Sequence, residues 1–434
     1  MFKSFFPAPK LFFGSAVIWT AISIAVWYLF ARDLGSSFSL GWIFGYEFPE
    51  AGLSGAEPEL PAGIQSELDK AIDVWLYQYM LIIGAIFCAF WYWFAPHRWF
   101  RWSVVVSAFI VFVTWFQVQL SVMINNWFRT FYDLVQVALT EPGTVSEAQL
   151  FEQAATFLSI ALTAVTVGVV THFVVSHYVF RWRTAMNDYY VANWPRFRHI
   201  EGASQRVQED TMRFAQIMES LGVRLIDAFM TLIAFLPILW GLSVYVTELP
   251  FFGEVPQALV IVAILWSVFG TGLIALAGIR LPGLEFRNQR VEAAYRKELV
   301  LGEDNETRAQ PPSLGELFTD VRRNYFRLYL NYLYFNVVRI SYLQVGVLVP
   351  LIALTPTIAA GAITFGIYQQ ISRAFSQVEN SFQYLINSWT TIVELMSVYK
   401  RLQAFEASIE DLPLADIEYE VDPTSAAITR PGES

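Results

Sequence analysis

Long apolar runs set the pattern of this chain. Segments long enough to cross about 30 Å of hydrocarbon, which takes roughly 20 helical residues, fall at about 11–31, 72–94, 103–124, 154–176, 225–247, 257–279 and 335–360. An eighth stretch, about 362–400, includes FGIYQQISRAFSQVENSFQYL. It repeats apolar residues at helical spacing but is too polar to face lipid, so it is expected to line a cavity or a partner helix. Hydrocarbon offers no partner to backbone N–H and C=O groups, so the spans must be helices rather than open sheet. The pattern predicts an all-α polytopic membrane protein with about eight transmembrane helices.

Two polar connections do not read as loops. Residues 196–224 and 283–303 are dense in good helix formers, with Pro and Gly confined to their margins. They are expected to extend the fifth and sixth spans beyond the bilayer, as paired helices that carry conformational change to one face of the membrane. At about 100° per residue, Glu285, Glu292 and Glu303 share one face of the second extension. On the first, Glu201 and Glu219 share a face and Glu209 is rotated from it by roughly 80°. Two readings stay open. Carboxylates along facing helices pass protons if burial and mutual repulsion bring some of them toward neutrality. Alternatively they are solvated faces, since Glu292 precedes Arg296 by four residues, Glu209 precedes Arg213 by four, and Glu298 adjoins Lys297. Glu379 and Glu394, with Tyr384 and Trp389, lie in the amphipathic eighth stretch and are candidates to line a cavity.

Composition agrees with the periodicity. Of 434 residues, 55% are hydrophobic, 17% aromatic and only 15% charged, which excludes an ordinary soluble protein. The net charge of −10 is informative through its distribution. The connections 95–102, 177–224 and 280–330 are rich in arginine and are expected on the cytoplasmic side, whereas 32–70 and 125–153 are acidic and are expected outside. This alternation puts both termini in the cytoplasm. The tail from about Asp411, acidic and containing Pro, Ser and Thr, reads as disordered. Lys3 and Lys10 precede an apolar run as in a signal peptide, but ARDLGSS lacks an A-x-A cleavage site, so a retained first span is expected.

Few residues offer chemistry. The lone Cys88 sits in an apolar run and reads as a packed, inert thiol. His172 and His177 are five residues apart, on different helix faces, and His97 and His199 adjoin arginines; no metal ligand set is formed. Aromatic-rich strings such as FWYWFAPHRWFRW and HYVFRWRTAMNDYYVANW read mainly as interfacial belts, with a remainder able to line a wide cavity for cationic, partly apolar cargo. None of the lysines follows a glycine, so G-x-x-x-x-G-K-[S/T] does not occur, and G-x-S-x-G, H-E-x-x-H and C-x-x-C are absent too. No enzyme activity, cofactor, metal, ATP or nucleic-acid partner is therefore expected.

Several strings are distinctive: MFKSFFPAPKLFF, SHYVFRWRTAMNDYY, ANWPRFRHIEGASQRVQEDTMRFA, GTGLIALAGIRLPGLEFRNQRVEAAYRKEL and FQYLINSWTTIVELMSVYKRL. Through them the chain resembles the SbmA/BacA family of bacterial inner-membrane peptide transporters up to about residue 406. The resemblance implies a homodimer whose six-helix core, about 103–407, is like the membrane part of an ATP-binding-cassette exporter without a nucleotide-binding domain. Two extra helices, 11–31 and 72–94, precede that core. It also implies proton-gradient-driven import of antimicrobial and other peptides, with the acidic connections facing a periplasm. By the same resemblance Glu201, Glu209, Glu219, Glu285, Glu292 and Glu303 are the proton-coupling carboxylates. Segment 32–70 and the tail beyond Leu412 depart from the family pattern. Two alternatives remain: a membrane subunit served by a separate ATPase, and a transporter of very-long-chain fatty acids or other lipids.

Overall fold

The computed structural model describes residues 1–46, 48, 62–198, 203–246, 248–250, 252–305 and 308–409. Residues 47 and 49–61 of the acidic segment 32–70, and the tail from 411, lie outside these residues. Among those described, regular structure is helical, apart from an isolated bridge between Leu249 and Gly253. Seven helical runs are long and apolar enough to cross a membrane. They are α1 (Pro9–Ala31), α2 (Ala62–Phe94), α3 (Arg101–Thr140), α4 (Glu147–Ala192), α5 (Ala203–Tyr245), the run Ala258–Glu303, and α8 (Pro311–Ala353). The run Ala258–Glu303 is two helices, α6 (Ala258–Gly278) and α7 (Leu281–Asp304), which meet at a turn over Ile279 and Arg280. Pro282 sits in the first turn of α7, where its missing N–H leaves no hydrogen bond unmade. Two less apolar helices complete the chain, α9 (Phe365–Asn387) and α10 (Trp389–Ile409).

The last five of the seven runs contain 40, 46, 43, 46 and 43 residues. At about 1.5 Å per residue the four unbroken ones are each roughly 60–70 Å long, about twice the hydrocarbon thickness. The polar stretches at 203–224 and 283–303 are helical, as their composition predicts. Extension is more general than expected, because α3, α4 and α8 also outrun their apolar segments. At its other end α8 stops at Ala353 rather than near residue 360. Pro356 has no N–H to donate to the carbonyl four residues back, so the ladder is interrupted there and a separate short turn, Thr355–Ala359, takes over.

Internal contacts divide the chain into two compact units. One comprises Met1–Phe112, Val174–Glu219 and Glu394–Ser434; the other comprises Val113–Phe173 and Ser220–Val393. The first is built on aromatic residues. Phe5, Phe6, Trp91, Trp182, Met186, Tyr190 and Phe214 are buried together with Val398, Leu402 and Phe405 of α10. Phe5 stacks on Trp182 with ring centroids 5.7 Å apart, and Phe214 meets the same indole edge-on at 5.2 Å. Trp182 and Tyr190 thus form core rather than an interfacial belt, while neighbours such as Trp93 and Phe180 are exposed.

The second unit is centred on α9. Its residues Ile367, Ile371, Ala374, Phe375 and Val378 recur at steps of three and four and are all buried, so one stripe of an otherwise polar helix faces protein. That stripe packs against Phe235 and Leu239 of α5 and Leu259 and Ala263 of α6. The α9 N-terminus is fixed by α3. The Phe365 amide donates to Gln136 Oε1 at 2.7 Å, and the Gly366 amide donates to Asp133 Oδ1 at 3.0 Å. Any Cβ at residue 366 would run into the Arg129 carbonyl and Asp133, so the close approach requires glycine.

Candidate functional site

Among the described residues the second unit buries one carboxylate, and the packing of α6, α8 and α9 places it. Glu379 is four residues beyond Phe375 on the buried side of α9 and is 8% exposed. Trp266 of α6 donates from Nε1 to its Oε1 at 3.0 Å, and Gln383, one turn along α9, donates from Nε2 to the same oxygen at 3.0 Å. The Tyr342 hydroxyl of α8 hydrogen-bonds the carboxylate as well. Tyr342 lies flat against Trp266, with centroids 4.9 Å apart and planes at 17°. Two glycines make room: a Cβ on Gly270 would meet the Tyr342 ring, and one on Gly346 would lie 2.7 Å from Glu379 Oε1. Tyr384, on the same helix, donates to the Leu221 carbonyl at 3.4 Å. Trp389's side chain and Glu201 lie outside the described residues.

The glutamates on α7 have unequal surroundings. Asn324 of α8 donates to Asn288 Oδ1 at 3.2 Å, and both are buried, so Leu281, Leu284 and Asn288 form the seam of an α7–α8 pair. Glu292, one turn past Asn288, is half-buried. Glu285 and Glu303 are exposed, and Glu285 lies within electrostatic reach of Tyr332. Glu298 closes the end of the pair, accepting from Arg308 Nη2 at 2.7 Å and from the Ala309 amide at 3.1 Å.

In the first unit, α5 passes through two widened turns, Arg206–Asp210 and Met218–Gly222, and each contains a candidate. Glu209 is exposed and accepts from Gln205 Nε2 at 3.1 Å. Glu219 is half-buried and accepts a 2.5 Å hydrogen bond from Ser176 of α4. Asp210, which sequence reasoning passed over, is buried and gripped by Arg401 of α10, with Nη2 at 2.7 Å and Nε at 3.1 Å. Glu394 pairs with Arg213 of α5. The Asp210–Arg401 pair falls between segments remote in sequence, and nothing in spacing announces it. Trp266 could have been found as an indole N–H donor near the middle of a span whose other polar side chains are Ser267 and Thr271. Among the described residues no cluster of three His, Cys, Asp or Glu side chains could hold a metal ion.

Seven membrane-length helices, several of them continuing well beyond a bilayer, and a carboxylate enclosed between spans define a multi-pass membrane protein on a transporter plan. The SbmA/BacA-like family matches residues 96–410, and the chain belongs to that family of membrane transporters. More distant similarity reaches the ATP-binding-cassette proteins. The inner membrane ABC transporter ATP-binding protein YddA of Escherichia coli is 23% identical over 336 residues, covering 71% of this chain and 57% of its own length. An uncharacterized ABC transporter ATP-binding protein of Haemophilus influenzae is 25% identical over 201 residues, covering 44% and 32%. The chloroplastic ABC transporter D family member 2 of Arabidopsis thaliana is 24% identical over 252 residues, covering 53% and 33%. The chain therefore spans between about a third and just over half the length of these relatives.

Proposed function

We propose that the protein imports peptides across the bacterial inner membrane by alternating access, driven by the proton gradient, as a homodimer with both termini in the cytoplasm. Membership of the SbmA/BacA-like family over residues 96–410 is the observation that carries this reading. Cargo passes through and no bond is broken. The energy source is argued from the carboxylates. Glu219 is half-buried and hydrogen-bonded within the helices, and Glu292 is half-buried beside the α7–α8 seam, so both have the partial burial that lets a carboxylate exchange protons. Glu209, Glu285 and Glu303 are exposed. Protonation then biases the outward and inward states by the difference in proton affinity between them.

The test is uptake of a labelled proline-rich antimicrobial peptide into liposomes containing only this protein, with an imposed pH gradient and no nucleotide. Gradient-dependent uptake that is lost in Glu219→Gln and Glu292→Gln, with dimers intact, is the expected result. Uptake indifferent to the gradient in the wild type sinks the reading. A second reading has specific support: the similarity to ATP-binding-cassette proteins fits a membrane subunit served by a separate ATPase, and uptake that appears only with an ATPase and ATP favours it.

A further inference from the structure

Trp266 lies near the centre of α6, a 21-residue helix without an ionisable side chain, so the Glu379 carboxylate it holds is level with the apolar middle of that span. An isolated charge at that depth is costly unless a cation or a change of protonation state relieves it. Among the described residues the groups acting on it are Trp266, Tyr342 and Gln383, all neutral donors. The ionisable groups on elements packed against α9 are engaged otherwise or make no interaction with it. Arg224 of α5 acts on Asp227 of the same helix, Asp133 of α3 caps α9, Arg129 of α3 lies over the Tyr245 ring, and Arg339 of α8 is not among the groups acting on it. Arg373 of α9 itself stacks over Phe128, 4.8 Å from the ring centroid.

The cage also suits both protonation states. Tyr342 has two acceptors within reach, the Glu379 carboxylate and the Trp266 carbonyl at 3.3 Å. When Glu379 is charged, the Tyr342 hydroxyl donates to it beside the Trp266 and Gln383 donors. When Glu379 takes up a proton, the new carboxyl O–H donates to the Tyr342 oxygen, and Tyr342 turns its own proton to the Trp266 carbonyl. Rotation of one hydroxyl keeps every group hydrogen-bonded, which a fixed donor could not do. Gly346 keeps clear the volume that the carboxylate occupies.

We propose that Glu379, with Tyr342 as its reversible hydrogen-bond partner, is a membrane-embedded proton-binding site that couples protonation to the packing of α9 against α6 and α8. Resting on the proton-driven reading, it adds to the glutamates of α5 and α7 a site within the spans themselves. The proton comes from water and returns to water. Loading removes the charge that draws Trp266 and Gln383 inward, so the three helices part more easily when Glu379 is neutral.

The experiment uses the full-length protein in liposomes and a labelled proline-rich peptide. It reads gradient-driven net uptake, gradient-free exchange of labelled for unlabelled peptide, and the infrared difference spectrum between acidic and alkaline buffer. E379Q should lose net uptake, retain exchange, and lose a protonated-carboxyl band that the wild type shows. Tyr342→Phe should keep the ring stack and exchange while shifting the pH at which that band appears. Wild-type net uptake in E379Q, or an unchanged carboxyl band, overturns the proposal. Loss of exchange together with uptake in E379Q, not recovered by Glu379→Asp, makes the residue structural and overturns it too. Wild-type uptake indifferent to the gradient strikes the functional reading alone, since the infrared band still reports whether Glu379 binds a proton.

Discussion

Arg401 grips Asp210 with two arms of its guanidinium, Nη2 at 2.7 Å from Oδ1 and Nε at 3.1 Å from Oδ2, while its third nitrogen donates to Ser397 at 2.9 Å. The aspartate side chain is 6% exposed and the arginine 43%. The fork ties α10 to α5 within the first unit, beside the aromatic core that Phe214 and Leu402 share. The hydrogen bonds that Arg401 donates to the Asp210 carboxylate hold its guanidinium above its ordinary value. A group raised in this way stabilises the fold below its unfolded pKa and loses that contribution only as pH rises through the folded one. From the arginine side, the pair therefore contributes evenly across about pH 5 to 9.

Asp210→Ala should destabilise the protein by about 1.5–3 kcal/mol, the usual worth of a hydrogen bond to a charged group. The lower end is expected, because a part-exposed Arg401 regains water once its partner is gone. Chemical denaturation in detergent measures the loss. A variant as stable as the wild type would show that the fork holds nothing together.

Much of the architecture was legible because hydrocarbon permits only helices and the apolar runs are long. The extensions at 203–224 and 283–303 could be read from helix-forming composition, and the buried stripe of α9 from its spacing. The environment of the glutamates could not. Glu285, Glu292 and Glu303 share a helix face, yet Glu292 is half-buried and the other two are exposed, because the Asn288–Asn324 contact decides where α8 lies. Glu379 read as a cavity-lining candidate; its enclosure depends on Gly270 and Gly346, two small residues on other helices whose alignment with it no single-chain periodicity reveals.

Ser176 and Glu219 offer a sharper test of the α5 carboxylate than charge removal alone. Ser176→Ala deletes the 2.5 Å hydrogen bond and leaves the carboxylate in place. Gradient-driven uptake in liposomes should fall about tenfold, the equivalent of roughly 1.4 kcal/mol in a barrier. Wild-type rates in Ser176→Ala and Glu219→Gln alike would return Glu219 to the role of a solvated side chain.

Gly270 sets how closely α6 approaches the Trp266–Tyr342 stack. The Tyr342 ring is 2% exposed and has nowhere to retreat when a methyl group is added. Overpacking typically costs about 1–3 kcal/mol, and replacing glycine with alanine inside a helix returns at most about 1 kcal/mol. Gly270→Ala should therefore lower stability by on the order of 1 kcal/mol. Thermal unfolding in detergent, followed by tryptophan fluorescence, reads the change. A raised midpoint would mean that the stack shifts without strain.

The end of the α7–α8 pair should respond differently to mutation. Glu298 accepts both from Arg308 and from the amide of Ala309, a residue in the left-handed region at φ 50°, so one carboxylate pins the chain just before α8 begins. The ion pair is part-exposed, Arg308 at 49% and Glu298 at 19%, and contributes little to global stability. It does cover the Arg308–Ala309 peptide bond, whose N–H is engaged while Glu298 is present. Trypsin cleaves after arginine and must draw that bond into its own site. Glu298→Ala should leave the unfolding midpoint where it is and speed tryptic cleavage after Arg308, followed by mass spectrometry of the fragments. An unchanged cleavage rate would show that the two hydrogen bonds do not restrain the turn. A lowered midpoint would show instead that this end of the pair is coupled to the packing of α7 on α8 around Asn288 and Asn324.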